Sequence, residues 1–318
     1  MRALWRLALR GGSAGIGGVS SDMPDAATAR QANLTGAALM VVSTLTFVCN
    51  DAAMKYVTQE LPLYQAMMLR GLFVVILLGG HAAATGRLRL AIPRRDTGRM
   101  GWRALGEVGS AVLYLTALQQ MGMASASAIM QSLPLLVTLA AALFLGERLG
   151  MRRMTAIAVG FAGVLIILRP GTEAFDIWAL AALASVFLIV LRDMVTRGFS
   201  SAVSSTTIAI YAAGSVGLFG LAMWDESWRT PTLAELGLLA LASAMITVGY
   251  ITAIATMRVG EVSFVAPFRY SSLIWAVLLG LVVFGDWPDV WTQLGSVLIV
   301  AAGMYSIWRE GRLPEIHR

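Results

Sequence analysis

The chain has 318 residues, 58% of them hydrophobic and only 13% charged, with a mean hydropathy of +0.74. Soluble domains usually carry about 25% charged residues, so this composition excludes one and fits a helical membrane protein, in which each segment satisfies its own backbone groups. The formal charge of +6 does not mark a nucleic-acid binder, because the arginines sit in short segments between apolar runs, where they act as orientation signals.

In chain order, residues 1–32 are rich in Gly, Ser and Ala and read as a disordered cytoplasmic segment. No apolar core in it leads to a cleavage site, and Met23 is an alternative start. Ten apolar spans follow, near residues 33–57, 62–84, 104–122, 125–145, 154–168, 176–197, 205–224, 233–257, 260–284 and 290–308, with a tail at 309–318. The connections are short except 85–103, which carries Arg87, Arg89, Arg94, Arg95, Arg99 and Arg103. With the amino terminus inside, 18 of the 24 Lys and Arg residues fall on the inner side and three on the outer (Lys55, Arg169 and Arg229). Arg70, Arg192 and Arg269 lie within spans. This bias predicts a bacterial inner-membrane protein with both termini cytoplasmic.

The ninth span holds Pro267, Arg269 and Tyr270 well inside the bilayer. A charge at that depth costs at least about 3 kcal/mol, so it is expected to face a protein-lined cavity. The proline removes a backbone donor, and the helix should bend or open there. The halves also repeat. Spans three to five contain Leu115-Thr116-Ala117-Leu118, Pro134, Gly146-Glu147 and Gly160/Gly163. Spans eight to ten contain Ile251-Thr252-Ala253-Ile254, Pro267, Gly285-Asp286 and Gly295/Gly303. Five spans per half places the second copy upside-down relative to the first, a plan of secondary transporters with broken helices near the midplane.

At Gln131-Ser132-Leu133-Pro134, Leu145-Gly146-Glu147-Arg148, Ile167-Leu168-Arg169-Pro170-Gly171, Pro267-Phe268-Arg269-Tyr270 and Phe284-Gly285-Asp286-Trp287-Pro288, the chain resembles the drug/metabolite transporter superfamily, specifically its ten-helix EamA-type members. The resemblance covers roughly 33–308 and implies two inverted five-helix repeats, 33–170 and 171–308, around a central cavity worked by alternating access. Asp286 stands where the family often has Glu. Members carry varied metabolites, so the resemblance specifies the fold better than the substrate.

For the substrate site the sequence offers Arg269, Tyr270, Arg70, Gln131, Tyr114, Trp275 and Tyr250: cations, aromatic faces and an amide within spans. Each aromatic or amide has ordinary helix packing as its alternative. Asp51, Asp193 and Glu107 are candidates for gating or coupling. Asp51 and Arg70 lie at depths differing by about 5 Å, so a structural ion pair between them is open, with Lys55 as a competitor. Arg269 has a second reading as the counter-charge of Asp193 or Glu107. Glu147 and Asp286 read as helix-end groups, and Arg192-Asp193 as structural or gating. A single cysteine, Cys49, excludes an intrachain disulfide. His81 and His317 lack metal-ligand spacing, and neither a P-loop nor a Gly-x-Ser-x-Gly elbow occurs, so no metal, cofactor or enzymatic activity is expected. The expected partners are the lipid bilayer and a small solute. A flavin such as riboflavin comes first, amino-acid export second, and a non-transporting membrane enzyme or scaffold is the reading from another class.

Overall fold

The computed structural model describes residues 26–310 apart from 87, 89, 146–149, 173–174, 201 and 260. The expectations for the amino-terminal segment up to Asp25, for Glu147 and for the last eight residues fall outside the described residues.

The helices are α1 (Ala26–Val57), α2 (Leu63–Ala84), α3 (Arg94–Gln120), α4 (Met123–Met130), α5 (Leu133–Leu145), α6 (Met151–Leu168), α7 (Ile177–Arg197), α8 (Ser205–Ala222), α9 (Leu233–Val259), α10 (Val262–Val265), a 3₁₀ segment (Ala266–Tyr270), α11 (Ser271–Phe284) and α12 (Val290–Glu310). Taking α4 with α5, and α10 with the 3₁₀ segment and α11, gives ten crossings. Among the described residues, eight helices are long and apolar enough to span a membrane. The other two crossings are α3, whose first turns are charged, and α6, whose apolar part is Met154–Leu168. The connection expected at 85–103 becomes helical from Arg94 onward. Pro93 precedes the first helical residue and Asp96 sits in the first turn, where the helix dipole favours an acid.

The break expected at Pro267 is present, and a second one lies at the corresponding place in the first half. In the ninth crossing the five residues Ala266–Tyr270, with Pro267 among them, wind as 3₁₀ between two α segments. In the fourth, the helix stops at Met130, and α5 begins after the Gln131-Ser132 turn with Pro134 in its first turn, where a proline costs nothing.

The packing has the pseudo-two-fold symmetry of an inverted repeat, in which crossing n corresponds to crossing n + 5. The heaviest interfaces are α1 with α9, α3 with α7, α2 with α8 and α6 with α12. The first two exchange under that correspondence, and the last two map onto themselves. Both self-mapping interfaces are glycine crossings. A Cβ on Gly71 of α2 would fall 2.7 Å from Gly217 Cα of α8, and one on Gly163 of α6 would fall 2.7 Å from the Gly295 carbonyl of α12. Lipid supplies no hydrophobic drive for helix association, so such close backbone approach is what holds these pairs together. Large side chains such as Ile76, Leu143, Leu218, Val282 and Val297 point outward to the bilayer, with Trp224, Trp287, Trp291 and Trp308 exposed near helix ends.

Candidate substrate site

A hollow of about 250 Å³ lies between α2, α3, α7, α8 and α9, and so takes its walls from both halves. Its rim, Arg103, Thr196 and Ser205, sits at the helix ends on the face that carries the start of α1 and the end of α12. Arg70, at its inner end, is about 10 Å along α2 from the opposite face. Ala209, Ala212 and Ala213 of α8 keep one wall smooth, and Tyr250 of α9 supplies an aromatic wall, its ring edge-on to Phe47 with centroids 5.3 Å apart.

Two polar networks flank this hollow. In the first, Arg70 Nη1 donates to Asn50 Oδ1 at 3.4 Å, Asn50 Nδ2 donates to Asp51 Oδ1 at 2.9 Å, and the Tyr114 hydroxyl donates to Asp51 Oδ2 at 2.8 Å. The direct Asp51–Arg70 pair left open by the sequence is replaced by a bridge through Asn50, a buried amide that the sequence reading passed over. In the second, Arg192 binds Glu107 at 3.1 Å and Asp193 at 3.0 Å, while Arg103 lies 3.3 Å from Glu107 and donates to Thr196 Oγ1 at 2.8 Å. Arg192 thus takes both acids that Arg269 was offered as counter-ion for.

Arg269 is left without a side-chain hydrogen bond or ion pair among the described residues, although it lies in the middle of a crossing. Its carbonyl accepts from Gln131 Nε2 at 3.1 Å, which joins the two helix breaks. The remaining candidates sit apart. Tyr270 is only 6% exposed and its hydroxyl presses on Gly303 of α12, where it finds no partner. Trp275 packs against the apolar core with a buried, unpartnered Nε1. Arg70, Glu107 and Tyr250 line the hollow; Asp51 and Tyr114 are tied to it through Asn50, and Asp193 through Arg192.

On the opposite face the halves are joined by residues the sequence assigned no such role. Lys55 does not compete for Asp51. Its Nζ donates to the Met121 carbonyl at 2.7 Å, lies 3.5 Å from Asp286 and sits 5.1 Å from the centre of the Phe284 ring. Arg169 pairs with Asp289. Both are contacts of a first-half cation with the second-half connector Gly285–Asp289.

On the rim side, Asp96 is buried at the start of α3, accepting from the Ser200 hydroxyl at 2.5 Å and from Arg99 at 2.9 Å, with Arg95 at 3.8 Å. The Ser200 hydrogen bond, aided by these arginines, holds its carboxyl below the ordinary aspartate value.

Ten helices in inverted halves, with a charged hollow between them and ion pairs joining them at the opposite face, define a membrane carrier. The EamA-like transporter family profile matches twice, at residues 34–169 and 176–308, and the chain belongs to that family. It is a transporter of small metabolites, not an enzyme. Among relatives, the S-adenosylmethionine uptake transporter of Rickettsia felis is 24% identical over 87% of this chain and 94% of its own. The riboflavin transporter of Rhizobium johnstonii is 30% identical over 66% and 72%, and the pseudopaline exporter of Pseudomonas aeruginosa is 25% identical over 84% and 94%. A solved crystal structure superposes with a TM-score of 0.62 at 21% identity, over 89% of this chain and 99% of its own, and so shares the fold.

Proposed function

We propose that this carrier moves a metabolite with a planar ring and strong hydrogen-bond acceptors, with riboflavin as the first candidate. The observation that carries the reading is the surplus of guanidinium groups at the centre. Arg70, Arg103, Arg192 and Arg269 face three acids, Asp51, Glu107 and Asp193, and Arg269 is the cation with no protein partner among the described residues. A guanidinium offers donors in a planar fork and no acceptor, so carbonyl, carboxylate or phosphate oxygens are its natural partners. Tyr250 supplies a face for a ring in the hollow that Arg70 and Arg103 line.

Relatives that carry riboflavin support this choice. The second reading, transport of an amino-acid-like solute including export, is favoured by the same unpartnered Arg269, which would hold a carboxylate. The Lys and Arg distribution supports insertion in the bacterial inner membrane with both termini cytoplasmic, and then the hollow described above opens inward. Substrate passes when the halves rock about the glycine crossings, exposing the centre to one side and then the other.

Uptake of radiolabelled riboflavin into liposomes containing the purified protein tests the reading, with S-adenosylmethionine and amino acids as competitors. Saturable riboflavin uptake that Arg269→Ala abolishes supports it. Uptake competed by amino acids alone, with riboflavin not moved, replaces it with the second reading.

A further inference from the structure

We propose that Asp51 is a proton-binding site that couples this carrier to a proton gradient, acting on the substrate through Asn50 and Arg70. The coupling, though not the proton site itself, rests on the reading of Arg70 as a substrate contact.

Six acids lie in the helices of the described crossings: Asp96, Glu235 and Glu310 near helix ends, and Asp51, Glu107 and Asp193 at least a turn inside. Glu107 is held by Arg103 and Arg192, and Asp193 by Arg192. Of the inner three, Asp51 alone has no cationic nitrogen within 4.0 Å among the described residues. Its two oxygens are bound instead by neutral groups, the Asn50 amide at 2.9 Å and the Tyr114 hydroxyl at 2.8 Å. An arginine beside an acid must lose its only ionic partner when that acid takes a proton. A tyrosine hydroxyl can reverse its bond: it donates to the carboxylate and accepts from the carboxylic acid. The site therefore has a satisfied arrangement in both protonation states. It is also partly exposed, so water can deliver the proton.

The charged and titratable groups around it fit this role. On its own helix, Cys49 is adjacent and Lys55 is engaged with Met121 and Asp286. From α2, Arg70 is held off by Asn50. From α3, Tyr114 makes contact, while Glu107 is occupied by two arginines. From α9, Tyr250 turns to Phe47. The 3₁₀ segment brings Tyr270, which faces Gly303, and Arg269. The two other helices packed on α1, α10 and α11, carry no titratable side chain.

The step is a proton transfer with no other bond made or broken. A hydronium ion gives its proton to Asp51 Oδ2 and leaves as water, the new hydroxyl donates to the Tyr114 oxygen, and the Tyr114 hydroxyl proton turns away from Asp51. The carboxylate charge is lost, so the Arg70 charge is no longer offset through Asn50 and an acceptor-rich solute binds better. After the halves rock, the proton leaves to water on the other side and the substrate is released. This order predicts symport.

The full-length protein in liposomes is assayed for riboflavin uptake with and without an inward pH gradient. The wild type is expected to show a several-fold stimulation that falls to none in Asp51→Asn and returns in Asp51→Glu. Infrared difference spectra on acidification, taken without riboflavin, provide the arm that needs no substrate. A protonated-carboxyl band is expected in the wild type, retained in Glu107→Gln, lost in Asp51→Asn and shifted in frequency in Tyr114→Phe. That arm decides where transport, or folding of Asp51→Asn, is lost, since Tyr114→Phe shifts the band only if it comes from Asp51. A band that survives Asp51→Asn or is unmoved by Tyr114→Phe, no band in the wild type, or an undiminished gradient stimulation in Asp51→Asn overturns the proposal. A band that behaves as expected in a protein that does not move riboflavin leaves the proton site standing and removes the riboflavin reading.

Discussion

Gln131 Nε2 donates to the Arg269 carbonyl oxygen at 3.1 Å, so the break in the first half holds the backbone of the break in the second. This contact sits where two inverted copies meet, and it fixes the stretch of chain from which the Arg269 guanidinium projects. Gln131→Leu is expected to cost about 1 kcal/mol of stability, the usual net worth of one hydrogen bond, and to slow riboflavin uptake by disordering the 3₁₀ segment. Thermal unfolding and initial uptake rates measure the two effects. Arg269→Ala is expected to abolish uptake while leaving membrane expression intact.

The two flanking networks should differ in strength. Breaking a largely buried ion pair by removing one partner costs roughly 3 kcal/mol or more. Glu107→Ala should therefore lower folded yield sharply, since it leaves Arg103 without an acid and Arg192 with Asp193 alone. The Asp51–Arg70 link passes through an amide and a 3.4 Å contact, so a double-mutant cycle between those residues should give a coupling below about 1 kcal/mol. A coupling of several kcal/mol would show a direct pair.

At the glycine crossing of α2 and α8 there is no room for a methyl group, because a Cβ on Gly71 would lie 2.7 Å from Gly217 Cα, a backbone atom that cannot swing away. Gly71→Ala should destabilise by about 1–3 kcal/mol, as overpacking does, and Gly71→Leu should prevent assembly. Gly79, on the same helix with open space around it, should accept alanine at little cost. Size-exclusion profiles of the detergent-solubilised variants compare them.

Asp96 sets an acid limit on the rim. Its folded carboxyl titrates below the ordinary aspartate value of 3.8 because the Ser200 hydroxyl, with Arg99 and Arg95, favours the charged form. The stabilisation it gives is fully present above that ordinary value and is lost as the pH falls below it toward the depressed folded value. Melting temperature against pH should therefore decline below about pH 4 in the wild type and decline less in Asp96→Asn. Ser200→Ala should narrow the window, since it removes the largest cause of the shift.

Much of the architecture was legible in the sequence because its causes are local. Hydropathy marked ten crossings, and Pro267 marked the break in the ninth, since a missing donor acts within one turn. The direction of side chains beyond the break was not legible. Five residues wound at 120° each instead of 100° turn the face that follows, from Ser271 onward, by about 100°, a rotation that hydropathy does not record. Asn50 was passed over because an amide carries no depth cost that singles it out, and its role appears only once Arg70 and Asp51 flank it. Lys55 was placed beside Asp51 from helical spacing, but the Met121 carbonyl just past the end of α3 and Asp286, brought by the second half, hold it instead.

The contacts of Lys55 and Arg169 end on the same short connector, Gly285–Asp289. Because both fastenings sit on five consecutive residues, a shift of that stretch is expected to loosen the two together, so the far doorway should open as a unit.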